Sequence, residues 1–155
     1  IYVGQAAPAA PNARTPTEQG DRLVRRLVEH RKNIEKASTT LSIADFECRA
    51  LVVQSGWETA AEDYLIHLFK PIWNSETSIL FGLGKHGDSG DTRANKRSPW
   101  DTVHPGRAWA AHQKLLDAKD MATIERELAE HFAKHPVFPD LNDVLESFID
   151  ELRQV

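Results

Sequence analysis

The stretch FECRALVVQSGWETAAEDYLIHLF, residues 46–69, combines the strongest strand pattern in the sequence with a helical pattern. Its first part, residues 46–54, is rich in Val, Leu and Phe, which favours an extended strand. From Trp57 to Phe69 the apolar residues recur at helical spacing, and Lys70-Pro71 should end the helix. A strand followed directly by a helix predicts a mixed fold rather than an all-helical one.

The residues before this stretch predict a second strand and a second helix. Ile1-Tyr2-Val3 is β-prone and resembles the end of a strand. Thr15, Pro16 and Glu18 are typical of a helix start, as N-cap, first helical residue and capping-box partner. We expect this helix to continue to about Lys36.

The residues after it predict an irregular region followed by helices. Residues 73–107 carry most of the internal glycines and should be largely irregular, and a loop of that length is usually functional or disordered. Helices are expected over about 106–118, from near Asp120 to before Pro136, and from near Asp140 onward. The order of elements predicts an α/β or α+β fold. We expect a single domain over 1–155, with a helical C-terminal part over 108–155.

Composition restricts the classes of protein further. The chain has 155 residues, 41% hydrophobic and 27% charged, which is typical of one globular domain. No apolar run approaches the roughly 18 residues of a membrane span. The single cysteine, Cys48, excludes an intramolecular disulfide and suggests a reducing compartment. The net charge of −4 divides into +2 over residues 1–114 and −6 over residues 115–155, so an acidic tail masks a mildly basic body.

Four polar residues have more than one interpretation. Arg26 and His30 are four apart and share a helix face, either as part of a solvated basic stripe or as a pair aimed at a phosphate. Glu62 lies at the edge of an apolar helix face and could be an ion-pair partner or a metal ligand. Asn74 on its own would be a turn residue. The histidines are too scattered to predict a zinc site.

Taken together, these residues resemble a known family. Tyr2-Val3-Gly4, Arg26, His30, Glu62 and Asn74, in this order, resemble the GIY-YIG nuclease superfamily. The segments KPIWN (70–74), FGLGKH (81–86) and WDTVHPGR (100–107) are similar to type II restriction endonucleases of that superfamily that cut the palindrome CCGCGG. The resemblance extends to about residue 110. The first Gly-Ile-Tyr half of the signature has no counterpart, which, with the non-methionine start, suggests that one strand and one tyrosine are missing.

The resemblance implies a small antiparallel β-sheet flanked by helices, with extra C-terminal helices. It also implies hydrolysis of double-stranded DNA with one divalent ion, Mg²⁺, held by Glu62. Arg26 would bind the scissile phosphate, His30 would assist proton transfer, Tyr2 would position water or phosphate, and Asn74 would hold the site together. The missing tyrosine would be the general base.

The implied partners follow from a short GC-rich target. We expect the 73–107 region to contact DNA through Arg93, Lys96, Arg97 and Arg107, because arginine matches the O6/N7 edge of guanine. A palindromic target predicts a homodimer on DNA. The resemblance also implies a prokaryotic cytoplasm, and the lack of a long apolar run predicts no membrane partner. Two alternatives stay open: a DNA-binding module without cleavage, and an unrelated metal phosphodiesterase built on the histidines.

Overall fold

The computed structural model describes residues 1–84, 96–112, 115–138 and 140–153. Six α-helices lie in these ranges: α1 (Pro16–Gln19), α2 (Arg22–Lys36), α3 (Glu58–Phe69), α4 (Pro99–Val103), α5 (Met121–Lys134) and α6 (Leu141–Arg153). Three short 3-10 helices cover Ile43–Asp45, Ser75–Thr77 and Ala108–Ala111. None of the helices in these ranges is long and apolar enough to cross a membrane.

The predicted helix start at Thr15 is confirmed, but the helix is divided in two. The Thr15 hydroxyl accepts a hydrogen bond from the Glu18 amide, and the Glu18 carboxylate accepts one from the Thr15 amide. Gly20 then adopts a φ of +69°, a conformation that favours glycine and ends α1 after one turn. The long amphipathic stretch forms separately as α2 and ends at Lys36 as expected.

The predicted antiparallel sheet is wrong for the described residues. Their one sheet pairs β1 (Lys96–Arg97) with β2 (Leu116–Asp117) in parallel, with Lys96 opposite Leu116. The structure is therefore helical with a small parallel sheet, which is consistent with an α+β fold.

Neither of the predicted strands, residues 1–3 and 46–54, joins that sheet. The amide and carbonyl of Val3 bond to the side chain of Asn74, which takes the place of a strand neighbour. In the second segment, the side chains of Leu51 and Val52 are 66% and 87% exposed. A strand is stable only where its backbone is paired and one face is buried, and this segment has neither in the part of the chain described.

The predicted helix over 106–118 is also wrong. Gly106 has a φ of +144°, and Arg107 is extended at a φ of −75° and a ψ of 123°. Of the residues described between Arg107 and β2, only Ala108–Ala111 form a helix, and it is of the 3-10 type. An α-helix forms just before this range instead, at α4. There the Ser98 hydroxyl accepts a hydrogen bond from the Asp101 amide as the N-cap, and Pro99 is the first helical residue. The helices α3, α5 and α6 lie where they were predicted.

Two apolar clusters position the rest of the chain. The first joins the end of α2 to α4 through Ile34, Ala37, Leu83 and Trp100, and Tyr2 packs against it. The second joins Ile79 and Leu80 to α5 through Ile124, which is fully buried. Trp73 packs against both clusters. The N-terminal segment is therefore held against α2 by the same core that carries α4.

Candidate active site

Asn74 anchors the N-terminal segment from 71 residues away. Its side-chain amide donates to the Val3 carbonyl and its side-chain oxygen accepts from the Val3 amide, both at 2.9 Å. The chain can turn toward Val3 because Lys70 ends α3 in the left-handed conformation, with Pro71 next. Asn74 is 6% exposed, so these two bonds satisfy a buried amide.

The anchored segment brings Tyr2 against α2. The Arg26 guanidinium donates to the Tyr2 hydroxyl at 2.7 Å. The Tyr2 and His30 rings meet edge to face, with centroids 4.8 Å apart at 66°. Because Arg26 and His30 share one helix face, one tyrosine contacts both, and the three half-buried side chains form a single cluster.

Arg26 differs from its neighbours on α2. Arg25 pairs with Asp21 at 2.8 Å and Arg31 with Glu35 at 2.7 Å, and both pairs are exposed. Among the described residues, Arg26 has no carboxylate partner, and its buried Nε lacks a hydrogen bond. A half-buried guanidinium with unused donors is suited to bind an anion. The geometry favours the phosphate interpretation of Arg26 over the solvated stripe.

Two glycines allow the close approach within this cluster. A Cβ on Gly4 would lie 2.8 Å from the Tyr2 ring and 3.2 Å from Arg26 Nη2. A Cβ on Gly84 would lie 3.6 Å from the Tyr2 hydroxyl and 3.8 Å from His30 Cε1. The backbone of both glycines therefore forms part of the wall around Tyr2.

Glu62 approaches the same segment from α3. Its Oε1 accepts a hydrogen bond from the Gln5 amide at 3.1 Å, three residues after Tyr2. Within the described ranges this is its one hydrogen bond, and it has no ion pair, so Oε2 is open to another ligand. Of the two interpretations of Glu62, the ion pair is therefore not observed there.

The donor set around Glu62 fits Mg²⁺ better than zinc. Across the residues described, no group of three or more His, Cys, Asp or Glu side chains could hold a metal ion. Mg²⁺ is commonly held by one or two carboxylates, several waters and substrate phosphate oxygens. A half-buried carboxylate with one open oxygen satisfies that requirement, whereas a structural zinc site needs four protein ligands.

The expected DNA-contacting residues fall in different environments. Lys96 is exposed. Arg97 donates to the Asp117 carboxylate at 2.7 Å and to the Leu115 carbonyl at 3.2 Å, so its guanidinium is partly engaged at the parallel sheet. Arg93 lies outside the described residues.

Arg107 is buried rather than available to DNA, and this corrects the expectation for it. The residue is 2% exposed and donates to both Asp101 carboxylate oxygens, at 2.5 and 2.6 Å. Its guanidinium also lies over the Trp100 ring, 4.6 Å from the centroid. The WDTVHPGR segment is thus part of the scaffold. Asp101, six residues before Arg107, is the buried acidic partner of this arginine.

The same segment is fixed to the end of α2 by two further contacts. His104 Nδ1 lies 3.0 Å from the Thr40 hydroxyl, and Gly106 lies so close to the Lys36 carbonyl that a side chain would overlap it. Burial lowers the pKa of His104, and the nearby Asp101 carboxylate opposes this shift. The helix that carries Arg26 and His30 is therefore held at its C-terminal end by this segment.

Sequence reasoning missed Asn33, whose side chain donates to the Leu83 carbonyl at 3.1 Å. The signal was its position three residues after His30, which places it on the same face of the helix. It also missed the contacts of Gly4 and Gly84, for which the signal was a glycine within each of two matched segments, Tyr2-Val3-Gly4 and FGLGKH (81–86).

Comparison with known proteins identifies one family. Residues 1–132 match the family model described as the Eco29kI GIY-YIG domain, which covers most of the chain and every residue of the cluster around Tyr2. Comparisons with curated proteins and with solved structures gave no match.

Proposed function

The chain belongs to the Eco29kI GIY-YIG family of restriction endonucleases, and on this premise we propose that it hydrolyses double-stranded DNA at CCGCGG with one Mg²⁺ ion. Family membership itself supports a nuclease acting on DNA. The observation that supports the proposal most strongly is the cluster of Tyr2, Arg26 and His30, with an arginine that has no acidic partner among the described residues.

In the proposed reaction Arg26 binds the scissile phosphate. The Tyr2 hydroxyl holds the guanidinium in one orientation, so its remaining donors are preorganised for phosphate oxygens. Charge builds up on these oxygens as water adds to phosphorus and the P–O bond to the leaving oxygen breaks. A preorganised donor of this kind contributes about 3–4 kcal/mol to the transition state.

We assign proton transfer to His30 and water positioning to Tyr2. An imidazole can both accept and donate a proton, so His30 can assist the proton transfer from the attacking water to the general base. Of the two tyrosines in residues 1–155, Tyr2 lies in the Tyr-Val-Gly segment that resembles the second half of the signature, and Tyr64 lies on α3. We propose that the first strand of the family signature, with its tyrosine, lies upstream of these residues and supplies the general base.

Glu62 would hold the Mg²⁺ ion. The bound ion would neutralise phosphate charge and lower the pKa of a coordinated water. The hydrogen bond from the Gln5 amide fixes Oε1 of the Glu62 carboxylate. It therefore also fixes the position of Oε2, the proposed metal ligand, relative to the N-terminal segment that carries Tyr2.

We propose that Lys96, Arg97 and Arg93 contact DNA, with Arg107 serving the scaffold. Arg97 could exchange its ion pair with Asp117, which is about one-third exposed on both sides, for a phosphate or a guanine edge. A palindromic site with one active centre per chain implies a homodimer on DNA. We further propose that the enzyme acts in a prokaryotic cytoplasm.

The test is digestion of a plasmid that carries one CCGCGG site, using the wild type and Glu62→Gln. We expect Mg²⁺-dependent linear product from the wild type extended upstream of Ile1, none from Glu62→Gln in the same extended chain, and the same affinity of both for DNA. Glu125→Gln, an exposed change on α5, is the matched control and should cut normally. Because the proposed general base lies upstream, residues 1–155 alone should give little or no product under the same conditions.

Two outcomes would contradict the proposal. Normal cutting by Glu62→Gln would remove the metal assignment. Binding to CCGCGG without cutting by either length of chain would leave a DNA-binding module instead of a nuclease.

A further inference from the structure

The turn at Leu83-Gly84 is held from two sides. The Leu83 carbonyl accepts one hydrogen bond from Asn33 on α2 at 3.1 Å and another from Arg107 at 3.3 Å. Arg107 also donates to the Gly82 carbonyl at 3.0 Å. Three donated hydrogen bonds therefore fix two consecutive carbonyls relative to α2.

The Arg107 guanidinium is itself rigidly held. Asp101 accepts from it through both oxygens, and the Ser98 hydroxyl donates to the same carboxylate at 2.5 Å. Both side chains of the pair are at most 2% exposed. A two-point guanidinium–carboxylate contact restricts the orientation of the arginine as well as its position.

The next residue, Gly84, lies against the proposed catalytic cluster. A Cβ there would be within 4 Å of both the Tyr2 hydroxyl and His30 Cε1. Asn33 is three residues after His30, on the same helix face. A shift of the turn would therefore change the surroundings of Tyr2 and His30 directly.

Stability alone does not account for this arrangement. Replacing a buried ion pair by apolar side chains of similar volume is often neutral or stabilising, because the pair must give up its hydration. What apolar residues cannot provide is directed hydrogen bonds to the Gly82 and Leu83 carbonyls. The buried pair is thus better explained by the position of the turn than by its contribution to the free energy of folding.

We propose that Asn33 and Arg107 are positioning residues for the nuclease site. They hold the Leu83 carbonyl between α2 and the segment that follows α4, so that Gly84 keeps Tyr2 and His30 aligned beside Arg26. Neither residue touches the reacting atoms. The inference rests on the proposed nuclease function for its catalytic consequence, but the contacts themselves are testable without activity.

The experiment uses Asn33→Leu, which keeps the approximate shape of this half-buried side chain and removes its donor. Single-turnover cleavage of a duplex containing CCGCGG should slow about 10- to 100-fold, since small misplacements of reacting groups cost rates of this order. The Kd for the same duplex should stay within threefold. In NMR spectra the Gly84 amide and the Tyr2 and His30 rings should shift, whereas Ile124 in the distant cluster should not. Asn142→Leu, an exposed change on α6, is the control and should alter none of these.

Arg107→Lys provides a second test, because it keeps the charge beside Asp101 and loses the forked donor. If both residues act on the Leu83 carbonyl, the double variant should slow cleavage by less than the product of the two single effects. If Arg107→Lys does not fold, Asn33→Leu alone decides.

Three results would overturn the inference. These are an Asn33→Leu cleavage rate within threefold of wild type, an equal worsening of rate and Kd, or unchanged NMR signals at Gly84, Tyr2 and His30. A wild type that does not cut in either length would refute the proposed function instead. The NMR comparison would then still show whether Asn33 holds the turn.

Discussion

Replacing Asn74 by Asp should separate the N-terminal segment from its anchor with the least possible change in shape. The substitution keeps the oxygen that accepts from the Val3 amide and removes the Nδ2 donor. In its place a carboxylate oxygen would face the Val3 carbonyl, where the donor now lies at 2.9 Å. Attraction at one of the two bonds is thereby replaced by repulsion.

The size of the effect follows from these contacts. Losing one intramolecular hydrogen bond costs about 1 kcal/mol, and leaving a largely desolvated carbonyl without a donor adds about 1–2 kcal/mol. We expect the free energy of unfolding to fall by about 2–3 kcal/mol, which for a chain of this size lowers Tm by about 5–10 °C. Cleavage should also slow at least about tenfold, because Tyr2 is adjacent to Val3.

Urea unfolding followed by tryptophan fluorescence measures the stability change. Asn142→Asp introduces the same charge at an exposed position on α6 and should stay within about 0.5 kcal/mol of wild type. The difference between Asn74→Asp and wild type should shrink as pH falls toward 4, because a protonated carboxyl can again donate to the Val3 carbonyl. An Asn74→Asp variant as stable as the control would refute the anchoring role.

Two further predictions concern the scaffold. Gly106→Ala should lower the free energy of unfolding by at least about 2 kcal/mol more than Gly56→Ala. Both glycines have a positive φ, but of the two only Gly106 lies against the Lys36 backbone. Equal losses of stability in urea unfolding would contradict the packing argument. Burial holds the pKa of His104 below its ordinary value of about 6.5, so the unfolded chain binds a proton at this histidine more readily than the folded chain does. The stability that neutral His104 contributes is therefore present above pH 6.5. It is lost as the pH falls from 6.5 toward the lowered pKa. His104→Gln should therefore lose less stability than wild type between pH 7.5 and 5 in urea titrations, and parallel losses would contradict this assignment.

Local signals predicted α3, α5, α6 and the start of α1, but not the break at Gly20, and the helix expected over 106–118 is wrong. The capping box at Thr15 and the stop at Lys70-Pro71 depend on neighbouring residues, and both are confirmed. The strands were wrong because a strand is decided by its partner. The apolar run 46–54 has the right composition, but the structure leaves Leu51 and Val52 exposed and gives the backbone no ladder.

The candidate site shows the same division. Helical spacing placed Arg26 and His30 on one face, and the structure adds Tyr2 to that face. No spacing rule could link Asn74 to Val3 across 71 residues, or show that Arg107 turns inward to Asp101. Arginine in an irregular segment is usually exposed, so its burial is visible only once the acidic partner is located in three dimensions.

The most direct test of the account compares Arg26→Ala with Arg25→Ala in single-turnover cleavage of a CCGCGG duplex with Mg²⁺. The two arginines are adjacent on α2, but Arg25 pairs with Asp21 in solvent while Arg26 contacts Tyr2. We predict that Arg26→Ala slows cleavage by about 10²–10³ with little change in Kd, and that Arg25→Ala cuts within threefold of wild type. Equal rates for the two variants would contradict the central claim that Tyr2, Arg26 and His30 form the active site.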